Sequence, residues 1–217
     1  MLAIAAVTLS TMHQSSLGSL FLLMPDKLAS QWWSPAMPVS FFLSSIVAGV
    51  SLIILIEMWI AKGWKRNLQM DQLAVMGKIS FWSLLIYLLF RLGDLIARNQ
   101  FVEAFVGKQG GLFSIEIVLG GVLPLLLLSR ASWRIQPHIL FLGSFLATSG
   151  VVLNRIDVVL LAMRLKGPMP QVAPASYAPS VFEWGISIGL IAATIFLFGL
   201  GARLMPVLPK YESLHGH

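Results

Sequence analysis

Nine ionisable side chains fall inside stretches that are otherwise apolar: His13, Glu57, Lys78, Arg91, Asp94, Glu116, Arg155, Asp157 and Glu183. A charge at the centre of a bilayer costs about 2.5–3.5 kcal/mol on insertion scales, so such groups pair with one another or line a pathway. Two chemistries follow: ion pairs that hold helices together, and proton transfer between carboxylates along a wetted interior. Helical spacing puts Ser83, Tyr87, Arg91 and Asp94 on one face and Ser144, Thr148 and Arg155 on another. Asp157 lies roughly 200° from Arg155 and faces a different neighbour. Lys78 is expected to snorkel. Glu57 stands about one turn from its helix end, either snorkelling or serving as a proton entry. A haem held by His13 would need a second His at matching depth. His138 lies at a far helix end and His215 and His217 in the tail, so no haem is expected within this chain. With no Cys, thiolate metal sites and cysteine-held iron–sulfur clusters are excluded within it.

The elements that must position these groups are membrane spans. Of 217 residues 57% are hydrophobic and only 11% charged, with mean hydropathy +0.84. A soluble domain carries roughly 25% charged residues. Six segments reach the roughly 20 residues that a span needs: A (2–24), B (38–61), C (73–97), D (112–129), E (137–164) and F (182–205). The fold class expected is an all-α integral membrane protein. Segment A has no preceding charge and is too long for a cleaved signal, so it reads as a retained helix. The net charge of +6 sits mainly at the ends of apolar runs and sets topology rather than binding nucleic acid. One side carries Lys62, Lys65, Arg66, Arg130, Arg134, Arg203 and Lys210; the other carries Lys27, Arg98, Lys108, Arg164 and Lys166. This asymmetry puts the C-terminus in the cytoplasm. Trp32, Trp33 and Trp184 then mark the outer interface, and Trp59, Trp64 and Trp133 the inner one.

That frame gives each charged group a depth. Arg91 and Asp94 fall in the outer third of C, Glu116 near the outer end of D, and Asn154, Arg155 and Asp157 in the outer half of E. Glu183 opens F on the same side. Two arginines and four carboxylates therefore gather at one level on four helices. Small residues supply close packing: Ser40, Ser44, Ala48 and Ser51 on B, and Gly185, Gly189 and Ala193 on F. Segment A is unusual, because Thr11–Leu20 reads TMHQSSLGSL with polar groups on more than one face. Such a helix is expected to be surrounded by protein.

Several stretches together resemble the NrfD, or polysulfide-reductase membrane-subunit, family, most closely its HybB-type hydrogenase branch. They are TMHQSSLGSL (11–20), WWSPAMPVSFFLSSIVAG (32–49), FRLGDLI (90–96), SIEIVLGGVLPLLLL (114–128), LNRID (153–157) and SYAPSVFEWGISIGLIA (176–192). The resemblance implies a bacterial cytoplasmic-membrane subunit without haem. It would anchor a ferredoxin-like iron–sulfur protein on the periplasmic side, with hydrogenase or cytochrome c subunits as further partners, and exchange electrons with menaquinone or ubiquinone. Some members of the family are proposed to move protons. Arg91 and Asp94 match the family's arginine-glycine-acid motif, Asp94 standing where the hydrogenase branch often has Glu, and Glu116 and Glu183 match acidic positions in later helices. The family has two four-helix bundles, and this chain resembles the second half. Residues 1–24 correspond to the last helix of the first bundle, 38–164 to the second bundle, and 182–217 to an extra helix and a cytoplasmic tail. The family's quinone pocket lies mainly in the first bundle. A quinone is therefore expected to be shared with a further helical polypeptide or a missing N-terminal half, with His13 and Gln14 on the quinone side. Tyr87, Arg91, Asp94, Glu116, Arg155, Asp157, Glu183 and Glu57 are the candidate proton pathway, and no residue is assigned a catalytic role. A secondary transporter or a passive anchor are the competing readings, and the lack of an internal repeat between A–C and D–F counts against the transporter.

Overall fold

The computed structural model describes residues 2–23, 28, 32–63, 66–106, 110–161 and 180–204. The loop 166–179, the tail bearing Lys210, His215 and His217, and Lys27, Trp64, Lys65, Lys108 and Arg164 lie outside them. The chain divides into two units, Met1–Ala175 and Ser176–His217.

In the first unit, α1 (Leu2–Leu20) ends in a 3-10 turn (Phe21–Leu23) and packs on α2 (Met37–Gly63). Four spans then close a ring: α2, α3 (Met70–Ala97), the continuous helix formed by α5 (Gly110–Ile117), a π-helical turn (Val118–Val122) and α6 (Leu123–Ser129), and α8 (Pro137–Ile156) with a second π-helical turn (Asp157–Leu161). Short helices α4 (Phe101–Val106) and α7 (Ala131–Arg134) join them. The second unit holds α9 (Val181–Leu204).

Among the described residues, five helices are long and apolar enough to cross a membrane: α2, α3, Gly110–Ser129, Pro137–Val159 and Val181–Gly201. Helix α1 occupies the expected segment A but is not among them, because its His, Gln, Ser and Thr side chains dilute the hydropathy of its 19 residues. Some of that polarity is internally satisfied. Thr8 donates to the Ile4 carbonyl, Thr11 to Thr8 and Ser19 to Ser15. These bonds lower the cost of facing an apolar neighbour.

Lipid is as apolar as leucine, so helices in a bilayer associate through close packing rather than hydrophobic burial. Glycines set that packing here. A Cβ on Gly18 would come within 3.0 Å of Pro38 Cα and the Met37 carbonyl, which brings α1 hard against the start of α2. Gly120 and Gly150 meet backbone to backbone, and a Cβ on either would overlap the other's Cα. The π-helical turn at that crossing has a cause in sequence. Pro124 has no N–H, and its ring would clash with the carbonyl four residues back. One wider turn, closed by Leu123 N–H on the Val118 carbonyl, relieves the conflict. At the end of α3, Asn99 adopts φ 55°, the left-handed conformation that stops a helix.

Candidate functional site

The ring of four spans gathers buried charged and amide side chains at one end. There the C-terminal turns of α3 and α8 meet the N-terminal turns of α2 and α5, so Arg91, Glu116, Asn154 and Arg155 converge from different helices. Arg91 and Glu116 are buried, at 8% and 4% exposure. Their side chains form a forked ion pair, with Nη1 on Oε1 and Nη2 3.3 Å from Oε2. Glu116 is further held by Trp32 Nε1, donating to Oε2 at 3.2 Å, and by Asn154 Nδ2, donating to Oε1 at 2.9 Å. Four N–H groups thus satisfy two carboxylate oxygens, which is what a charge this deep requires. Arg91 Nη1 also donates to Tyr87 Oη at 2.7 Å, one turn earlier on α3. The Arg91 guanidinium lies 5.2 Å from the centre of the Phe113 ring.

Arg155 has no carboxylate partner among the described residues. It donates to Asn154 Oδ1 at 3.0 Å, to Ser44 Oγ at 2.6 Å and to the Phe41 carbonyl at 3.3 Å, and it stacks over the Phe41 ring at 3.5 Å. Through Asn154 it joins the same network as Glu116. Asp94 shares a face with Arg91, yet it pairs with Arg98, 2.9 Å away and one turn on, and accepts from Ser34 Oγ at 2.8 Å. Asp157 is buried, its carboxylate makes no hydrogen bond or ion pair among the described residues, and it opens the second π-helical turn. Such turns concentrate at functional sites. Trp32, Ser34, Ser40, Tyr87, Arg91, Asp94, Arg98 and Asn154 line a cavity of about 30 Å³. That volume admits water, which needs about 10–15 Å³. It does not admit a quinone ring.

Within the first unit, three other expected positions lie away from this network. Glu57 stands at the opposite end of the bundle, 3.8 Å from Arg66. His13 is exposed on α1 and Gln14 half-buried, and neither lines the cavity. In the second unit, Glu183 begins α9 in a capping box: its carboxylate accepts from Ser180 N–H at 2.6 Å, while its own N–H donates to Ser180 Oγ at 3.3 Å. Among the described residues, no group of three or more His, Asp or Glu side chains is placed to hold a metal ion.

The sequence does not mark Trp32 and Ser34 as site residues. Trp32 beside Trp33 reads as an interfacial pair, but its indole is 4% exposed and turned onto Glu116. The signal in the chain is the Trp-Trp-Ser-Pro run just before α2, where a turn folds the chain back over the bundle end. Arg98 reads as a topology charge, and its place four residues after Asp94 was the signal for the pair.

No family model matches the chain, and no solved structure matches it. Among curated proteins it is 32% identical over 224 residues to a protein of Nitratidesulfovibrio vulgaris, covering 99% of this chain and 56% of the relative. It is 31% identical to the probable Ni/Fe-hydrogenase 2 b-type cytochrome subunit of Escherichia coli, covering 94% of this chain and 52% of that protein. It is 25% identical to the integral membrane subunit of the menaquinone reductase of N. vulgaris, covering 95% and 53% respectively. The chain spans about half the length of the curated relatives it matches. Along nearly its whole length the chain is thus similar to membrane subunits of oxidoreductases, in line with its resemblance to the NrfD family.

Proposed function

We propose that the chain is half of a membrane subunit in a quinone-linked respiratory oxidoreductase, and that its polar interior moves protons during turnover. The observation that carries this reading is the buried Arg91–Glu116 pair beside a water-sized cavity, on the same helices that cross the membrane. A pair that only stapled helices together could be replaced by apolar packing at no loss of stability. Here it is joined to Tyr87, Asn154 and Arg155 and opens onto water-sized space. For Glu116 to take up a proton, Arg91 must withdraw from at least one carboxylate oxygen. Tyr87 can receive the guanidinium, and Asp94, held by Ser34 and Arg98, stands across the cavity as the next proton acceptor. Asp157, Glu57 and Glu183 extend the candidate pathway.

The name of the menaquinone reductase relative supports a quinone-linked complex, and that of the hydrogenase relative a redox complex. The quinone itself would be held with helices of a further polypeptide, on the His13 and Gln14 side of α1. A ferredoxin-like iron–sulfur subunit on the periplasmic face would deliver or receive electrons, with the C-terminus of this chain in the cytoplasm of a bacterial inner membrane. Purification of the tagged chain from native membranes tests the assembly. A cysteine-rich subunit with iron–sulfur signals in electron paramagnetic resonance, and a second multi-helix chain, are expected. A chain that purifies alone, with no redox centre and no quinone-dependent electron transfer, would refute the reading.

A further inference from the structure

Several hydroxyls of the four-span ring spend their proton on their own backbone: Ser44 donates to Phe41, Ser45 to Phe42, Ser83 to Ser80 and Ser114 to Gly110. Ser51 and Ser80, both fully buried, bond to each other across α2 and α3 at 2.7 Å. Two buried hydroxyls do neither. Ser144 Oγ and Thr148 Oγ1, on α8, are buried and lack any hydrogen-bond partner. They lie one turn apart on the α8 face that carries Arg155, and Arg155 reaches Ser44 and Phe41 on α2. That face therefore looks into the seam with α2.

Depths can be compared from this contact. With Ser44 and Arg155 at one level and α2 antiparallel to α8, Ser51 and Thr148 each lie about 10 Å further along their helices. Ser144 follows about 6 Å beyond Thr148, and Glu57 stands about 9 Å beyond Ser51. Ser44, the Ser51–Ser80 pair, Thr148 and Ser144 thus form a descending series from the Arg91–Glu116 network toward the Glu57–Arg66 end. A buried hydroxyl without a protein partner ordinarily bonds to water.

The geometry points to a water-binding site: Ser144 and Thr148 hold ordered water in the α2–α3–α8 seam, and that water carries protons between the Arg91–Glu116 network and Glu57. The inference rests on the proton-moving reading proposed above and gives it a route. Each step passes one proton from a hydronium or water O–H to the next oxygen while that oxygen releases its own, so no oxidant or reductant is needed.

Two measurements on the intact complex test it. A high-resolution map should show water within hydrogen-bond reach, about 2.6–3.2 Å, of both hydroxyls. A dry seam, in a map that resolves water elsewhere at similar depth, would overturn the site even if variants fail to assemble. In proteoliposomes, S144A/T148V should lower protons moved per electron at least about tenfold, as expected when a proton-transfer group is lost. Electron transfer should be kept, and S144T/T148S should restore proton movement. If S144A/T148V moves protons like the wild type while E116Q does not, the seam is structural and the broader reading stands. If E116Q also moves protons like the wild type, the broader reading fails with it.

Discussion

Replacing Glu116 by Gln keeps the side-chain volume and removes the charge that four N–H donors converge on. Arg91, 8% exposed, would keep Tyr87 as an acceptor but lose its counter-ion. Removing one member of a buried pair costs about 3–5 kcal/mol. At about 2–4 °C per kcal/mol for a chain of this size, the apparent melting temperature should fall by about 6–20 °C. Thermal unfolding in detergent, followed by a fluorophore reporting exposure of buried surface, reads this directly. R91M should destabilise in the same range because it orphans the carboxylate instead. The R91M/E116Q double variant should recover part of the loss, with a coupling of at least about 1 kcal/mol, because no buried charge is left unpaired. Single-variant losses below about 0.5 kcal/mol, or strictly additive effects, would refute the claim that the two residues form one buried unit.

Three further outcomes follow from the geometry. G120A and G150A should each destabilise by about 1–3 kcal/mol, since each pushes a Cβ into facing backbone. G93A, where a Cβ meets nothing within 4 Å, should be neutral or stabilising in the same melts. W32F keeps the edge-to-face contact with Phe113 but loses the indole donor to Glu116, at about 1.5–3 kcal/mol for a hydrogen bond to a charged group. S51A or S80A alone should cost about 1–3 kcal/mol by leaving its partner hydroxyl unsatisfied, whereas S51A/S80A should be closer to wild type.

Much of the architecture is legible in the chain because apolar length and flanking charge dictate spans almost independently of context. The expected starts and ends of B, C, D and F lie within a few residues of α2, α3, Gly110–Ser129 and α9. Comparing depths along these spans is enough to put Arg91 and Glu116 at the same level, and the structure has them in contact. Which group pairs with which is less legible. Asp94 and Arg91 share a helical face, but a side chain three residues on is outcompeted by Arg98 at four, and Arg91 is drawn across to α5. Glu183 shows a signal in the sequence that a depth argument hides: Ser180 three residues before it is the signature of a helix start, and both capping bonds are present. The π-helical turn after Glu116 is foreshadowed by Gly120, Gly121 and Pro124, though no local pattern tells that Gly120 meets Gly150. Contacts made by turns, such as Trp32 and Ser34 folding over the bundle end, depend on tertiary geometry that no single helix encodes.

Protons carried by the Arg91–Glu116 network distinguish a conducting interior from a pair that only fastens helices. The direct measurement is protons moved per electron by the intact complex in sealed proteoliposomes, wild type against E116Q, with quinone reduction recorded in the same vesicles. E116Q is predicted to keep electron transfer within about threefold and to lose proton movement by at least about tenfold. Proton movement equal to the wild type in an assembled E116Q complex would contradict the account and leave the pair as a structural fastening.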